Sequence, residues 1–186
     1  MMSRYQNHKN WWMACRLCSL CERRSNVVLA RGTLPAEVLF VGEAPGVSED
    51  TLGKPFCGPA GRLLDQIIER AIGETRRIRY AITNLVACIP KDESGRKTIE
   101  PNKKSITACS ERLMELYDIC DPTMIVCVGS LAAKWVPKII GDEDKLKYVA
   151  ITHPAALLRT PVERQSFDIQ TAIITLADAV DELGPF

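Results

Sequence analysis

Apolar and polar positions along the chain fall into two rhythms. Glu37-Val38-Leu39-Phe40-Val41 is a short apolar run closed by Gly42, the pattern of a buried strand feeding a loop. Leu63, Leu64, Ile67, Ile68 and Ala71 then recur at helical spacing. Tyr80 to Val86 predicts a second strand, and Ile106, Leu113, Leu116 and Tyr117 a second helix. Ile125 to Val128 predicts a third strand, followed by Gly129-Ser130 and an Ala-rich helix through Trp135. Tyr148 to Thr152 predicts a fourth strand ending at His153-Pro154, and Ile169 to Leu183 a final amphipathic helix. Strands alternating with helices predict an α/β fold, a parallel sheet covered on both faces. Ligands of such sheets sit beyond the carboxyl ends of the strands. Here those ends are Gly42-Glu43, Asn84, Gly129 and His153, and three of the four carry residue types suited to binding or catalysis.

Composition narrows the class. With 186 residues, 46% hydrophobic and 25% charged, the chain matches an ordinary globular domain and not a disordered one. A domain of this length buries roughly 70% of its unfolded surface, so disulfide staples are not needed. No repeat, low-complexity segment or flexible linker divides it, and residues 1–186 are expected to form a single domain. The first fifteen residues are polar and aromatic without an apolar signal core, and no later apolar run approaches the ~18 residues of a membrane span. The expected setting is the cytoplasm, with no membrane partner. A formal charge of +1 neither argues for nor excludes a polyanion, so any nucleic-acid contact must be local.

Eight cysteines in a reducing compartment turn attention from disulfides to metals. Cys15, Cys18 and Cys21 form a C-x2-C-x2-C run; Cys57, Cys88, Cys109, Cys120 and Cys127 stand singly. Cys127, inside an apolar strand, reads as a small buried hydrophobe. The stretch from Glu43 to Pro59 is loop by its chemistry, with Pro45, Gly46, Gly53, Pro55 and Gly58 in close succession. So long a loop in a small domain is usually functional. Within it Phe56 either stacks on a ligand or tucks back onto the domain.

Four separated motifs then agree. GEAPGVSED from Gly42, GKPFCGPAGRLL from Gly53, Thr83-Asn84, and HPAALLR from His153 to Arg159 resemble, in order and spacing, the motifs of the iron-sulfur uracil-DNA glycosylases, family 4 of the uracil-DNA glycosylase superfamily. The likeness runs from about Cys15 to about Arg159. It implies a three-layer α/β/α sandwich around a four-stranded parallel sheet. It also implies a 4Fe-4S cluster on Cys15, Cys18, Cys88 and Cys109, with Cys21 spare. Zinc is the competing metal, since four thiolates also suit a tetrahedral ion. The missing second C-x2-C pair argues against it.

The implied activity is hydrolysis of the N-glycosidic bond of uracil in DNA, by a monomer that flips the nucleotide out of the stack. Phe56 would stack on the flipped base, and Asn84, with a donor and an acceptor in one plane, would read the uracil N3–H and O4. His153 would donate to the uracil O2 as charge builds on the departing base. Glu43 would position the attacking water, with Gly42 and Ala44 in the same substrate-binding loop. Ala44 stands where better-known superfamily members carry an aspartate, so leaving-group and oxocarbenium stabilisation should outweigh strong general-base catalysis. Glu49 or Asp50 would narrow the pocket against the methyl of thymine. Ala155 and Leu157 would wedge into the vacated stack, with Arg159 near phosphate. The loop from Lys91 to Lys104 reads equally as a phosphate contact or a solvated surface.

Two features depart from the family pattern. Cys57 replaces an aliphatic residue, and the loop of residues 95–100 is longer than typical. That loop resembles the lysine-arginine loop of a relative that traps the uracil-derived sugar through a histidine, but Glu100 stands at the histidine, so covalent capture is not expected. Two other readings stand beside uracil excision: release of a different modified base, and a cluster-bearing DNA-binding protein without activity. The joint presence of Phe56, Asn84 and His153 argues against the second.

Overall fold

Runs of branched apolar residues build the central sheet of the computed structural model, which describes residues 2–73, 78–142 and 146–184. A two-residue strand β1 (Arg31–Gly32) precedes β2 (Val38–Gly42), β3 (Tyr80–Asn84), β4 (Met124–Val128) and β5 (Lys147–Ile151). The sheet order is β1-β3-β2-β4-β5. The last four strands are parallel, as expected, and β1 adds an antiparallel edge beside β3 that apolar periodicity could not reveal. Every residue of β2 and β4 is buried, which is why those strands read as continuous apolar runs instead of alternating ones.

Helices cover both faces. On one face Val38, Phe40, Ile82 and Val126 pack against α3 (Pro59–Ile72) and α7 (Val162–Asp181), whose contributions include Leu64, Ile67, Ile173 and Leu176. On the other, Leu39, Val41, Ala81 and Ile125 meet Leu113 and Leu116 of α4 (Lys103–Cys120) and Ala132 and Val136 of α5 (Ser130–Ile140). The N-terminal stretch forms a further helix, α1 (Arg4–Trp12), largely polar, which turns His8 and Trp12 inward and leaves Trp11 exposed. It docks on α4 because the Glu115 carboxylate accepts the Trp12 indole N–H at 2.6 Å and lies 3.0 Å from His8 Nδ1.

Two short helices lie outside the predicted elements, one inside the stretch read as loop and one directly after the fourth strand. α2 (Val47–Leu52) forms because Glu49 reaches back to accept the Gly46 N–H at 3.1 Å, which satisfies an otherwise orphaned donor. α6 (Pro154–Leu157) is opened by His153 and Pro154. No described helix is long and apolar enough to cross a membrane.

Parallel register decides what meets at the carboxyl edge of the sheet. Gly42 pairs with Asn84, and Val128 with Ile151, so the loops leaving β2, β3, β4 and β5 emerge side by side. The loop after β3 rises over the same edge as a turned finger, in which Lys91 pairs with Thr98 and Asp92 Oδ1 accepts the Arg96 N–H at 3.1 Å.

Candidate active site

A cleft of about 540 Å³ opens at that edge. Glu43, Ala44, Glu49, Phe56, Asn84, His153, Ala155 and Arg159 all line it, brought together from four separate segments of chain. Gly42 lies beneath them. A Cβ there would stand 2.4 Å from both Asn84 Oδ1 and Phe56 Cζ, so only glycine lets the ring and the amide approach each other over the strand.

Phe56 is held in a conformation that side chains rarely adopt, with φ +51°. Its neighbours explain how. Glu49 Oε1 accepts the N–H groups of Cys57 and Gly58 at 3.0 and 2.9 Å. Arg31 donates to the Pro55 carbonyl at 3.0 Å and pairs with Asp65. A Cβ at Gly61 would fall 1.8 Å from the Phe56 carbonyl oxygen, so the backbone of α3 passes directly under the strained residue. The outcome is a buried aromatic ring, 6% exposed, whose centroid lies 5.8 Å from that of His153.

Asn84 is 2% exposed, and its Oδ1 has no hydrogen-bond partner within the protein. Buried amide oxygens are seldom left so, and the orphan marks a place where something else donates. His153 has a defined tautomer: Nδ1 accepts the Ala155 N–H at 3.1 Å, so the neutral ring carries its proton on Nε2. Burial, and then the nearby Arg159 charge, hold its pKa below the ordinary histidine value, with Glu49 opposing them. It therefore enters the neutral pH range as an uncharged donor. Glu43 is half-buried, and burial first, then the Glu100 charge, raise its carboxyl pKa.

Two expected site residues lie elsewhere. Asp50 is 3% exposed and does not line the cleft; it accepts the Ser25 and Asn26 N–H groups at 2.8 and 3.2 Å and faces Lys91 at 3.5 Å. Successive helical positions point about 100° apart, so α2 sends Glu49 to the cleft and Asp50 to the N-terminal segment. Glu49 itself has both oxygens engaged by backbone N–H groups, so it braces the loop as well as lining the cleft. Leu157 is 1% exposed and belongs to the core, whereas the next residue, Leu158, is 45% exposed. The turn of α6 places neighbouring leucines on opposite sides.

Among the lining residues that carried no site assignment from the sequence are Thr98, Ile99 and Glu100, at the end of the finger loop. The signals for them were that loop's length and its resemblance to the lysine-arginine loop of a relative, with Glu100 at the histidine position.

About the cysteines the structure is specific. Cys15, Cys18, Cys88 and Cys109 line one small, mainly apolar cavity under Trp12, Leu20 and Val27, and neither Cys21 nor Cys57 does. Among the described residues, no three His, Cys, Asp or Glu side chains converge closely enough to hold one metal ion. Burial pushes the Cys88 thiol up to about 11 despite the Arg24 guanidinium beside it.

Residues 30–177 match the family model of the uracil DNA glycosylase superfamily. Type-4 uracil-DNA glycosylases from Archaeoglobus fulgidus and Sulfurisphaera tokodaii are 33% and 38% identical to this chain. The first alignment covers 84% of both chains, the second 80% of this chain and 73% of the relative. The chain is a member of the type-4 uracil-DNA glycosylase family. This glycosylase shares its fold with wild-type SMUG2 of Pedobacter heparinus, whose crystal structure superposes with a TM-score of 0.62 at 17% identity over 79% of this chain and 76% of that one. The α/β/α sandwich is common to both.

Proposed function

We propose that this type-4 uracil-DNA glycosylase binds a uracil flipped out of DNA in the cleft between Phe56, Asn84 and His153, and hydrolyses its N-glycosidic bond. The observation that carries the reading is the orphaned Asn84 Oδ1 beside the Phe56 ring. Uracil offers an N3–H donor to that oxygen and an O4 acceptor to the same amide. Cytosine presents the reverse pattern and leaves both partners unmatched. The ring supplies stacking worth about 1–3 kcal/mol without reading sequence. As the bond breaks, negative charge gathers on the base, and the Nε2–H of neutral His153 stabilises it at O2. Leu158, not Leu157, is the apolar side chain available to fill the vacated stack, with Ala155 beside it and Arg159 exposed for phosphate. The test is product analysis on oligonucleotides carrying one uracil, hypoxanthine or cytosine: free uracil and an abasic strand are expected, and release of a different base alone would overturn the assignment.

Glu43 is the group for holding the attacking water. Its raised pKa makes it a stronger base, and its protonation on the acid side should switch activity off. Glu100→Gln removes a neighbouring negative charge and so lowers the Glu43 pKa. The acid limb of the single-turnover rate should move to lower pH, and a limb that stays in place would remove Glu43 from that role.

The cysteine cavity fits a 4Fe-4S cluster better than zinc. A lone ion needs its sulfurs about 2.3 Å from a single point, whereas a four-iron cube takes thiolates spread around a volume. Four cysteines that share a cavity yet converge on no point match the second requirement. Cys15, Cys18, Cys88 and Cys109 would hold the cluster, which would supply a cross-link between the N-terminal segment, the end of β3 and α4. Alanine at any of the four should abolish the brown colour of the purified protein, and Cys21→Ala should keep it. A colourless wild-type protein containing one zinc would exclude the cluster.

A further inference from the structure

Arg112 is a buried guanidinium, 1% exposed, and the ion pairs among the described residues do not include it. A buried charge without a counter-charge is costly, and such a residue is retained only where its donors are matched and something offsets its charge. The donors are accounted for. Nε donates to Cys109 Sγ at 3.3 Å, Nη1 to Thr83 Oγ1 at 3.0 Å, and Nη2 to the carbonyls of Asn84 and Leu85, the latter at 3.1 Å. No partner in that set is a carboxylate. Cys109 and Arg112 sit one turn apart on α4, facing the cysteine cavity that both line. Across the cavity Arg24 makes a parallel pair of contacts, to Cys88 Sγ at 3.1 Å and to the Cys15 carbonyl at 2.6 Å.

We infer that Arg112 is a positioning residue that joins the cysteine site to base recognition: its charge is balanced by the thiolates of the metal site, and its fork fixes the Asn84 backbone so that Oδ1 meets the base. The inference rests on the cluster and uracil-reading assignments made above. Four thiolates around an iron-sulfur core would leave a net negative charge beside the guanidinium, the counter-charge that no ion pair among the described residues provides. The same planar group then grips the two carbonyls at the end of β3. A shift of the metal site displaces Arg112, and with it the residue that distinguishes uracil from cytosine. Lysine, a single point charge, can supply the charge but not the fork.

Wild-type, Arg112→Gln and Arg112→Lys holoproteins should be compared by the midpoint potential of the cluster and by single-turnover kinetics on uracil-containing DNA. Losing the positive charge and the hydrogen bond to sulfur in Arg112→Gln should lower the potential, because cluster potentials follow local charge and hydrogen bonds to the sulfurs. The half-saturating DNA concentration should rise about tenfold, the expected cost of losing charged hydrogen bonds that set the recognition geometry. Arg112→Lys should keep a potential close to wild type and still show the raised half-saturation. Should Arg112→Gln fail to fold, the lysine variant decides, and wild-type half-saturation in it overturns the coupling. A glutamine variant with a shifted potential and unchanged half-saturation overturns it equally, as does one identical to wild type in both. Wild-type protein that has neither cluster nor uracil release would instead refute the underlying functional reading.

Discussion

Replacing His153 by alanine is expected to slow single-turnover release of uracil about 100- to 1000-fold, with little change in affinity for uracil-containing DNA. The size follows from what the side chain does. In the ground state uracil O2 is a neutral carbonyl, and one more donor to it adds little. In the transition state it carries much of the leaving group's charge, within a cleft where low dielectric strengthens each aimed dipole. The geometry also selects the donor: Nδ1 is engaged by the Ala155 N–H, so Nε2 is the nitrogen that carries hydrogen. The depressed pKa adds a second expectation. A group whose folded pKa is lowered stays neutral further into acid, so the midpoint of any rate change caused by protonating His153 should lie below the ordinary histidine value of about 6.5. A His153→Ala enzyme that releases uracil at the wild-type rate would remove leaving-group stabilisation from this residue.

Gly42→Ala should lower kcat/KM for uracil release by about 100-fold or more, a loss of the size produced by misplacing reacting groups by an ångström. The added methyl would stand 2.4 Å from Asn84 Oδ1 and 2.4 Å from Phe56 Cζ, inside contact distance of the two side chains assigned to hold the base. Neither can retreat easily. Phe56 is fixed by Glu49 and Arg31 and by the close passage of Gly61, and the Asn84 carbonyl is gripped by Arg112. The backbone of Gly42 belongs to a regular strand, so alanine brings no conformational strain and the fold should survive. Kinetics on uracil oligonucleotides, paired with a thermal melt, separate the two effects. Near-normal kcat/KM would mean that the base is held away from the Asn84–Phe56 contact.

The four main strands, their parallel sense and the helices covering them were legible from the chain because burial on both faces leaves a direct imprint. Leu39 and Val41 face α4 and α5 while Phe40 faces α3 and α7, and each position must be apolar whatever its partner is. Strand β1 escaped because two residues at an edge carry no period. The motif residues were legible for another reason: glycines and strand-end polar groups must recur wherever the same backbone approaches the same kind of ligand. Within those motifs, however, linear position does not say which way a side chain points. Asp50 and Leu157 stand in the right segments and point away from the cleft, while Leu158 faces out.

What the sequence determined by itself was the layered α/β architecture, the set of strand ends and the cysteine candidates, since each follows from local chemistry repeated along the chain. Only the tertiary structure decided that Cys15, Cys18, Cys88 and Cys109 share a cavity that Cys21 does not enter, and that the finger loop delivers Ile99 and Glu100 to the cleft. It also decided that an arginine inside an ordinary amphipathic helix spans the space between a cysteine sulfur and the asparagine proposed to read the base. The Arg112 contacts to Thr83 and Asn84 join residues 29 and 28 positions apart, and such relations are set by strand register and helix packing, which no local pattern encodes.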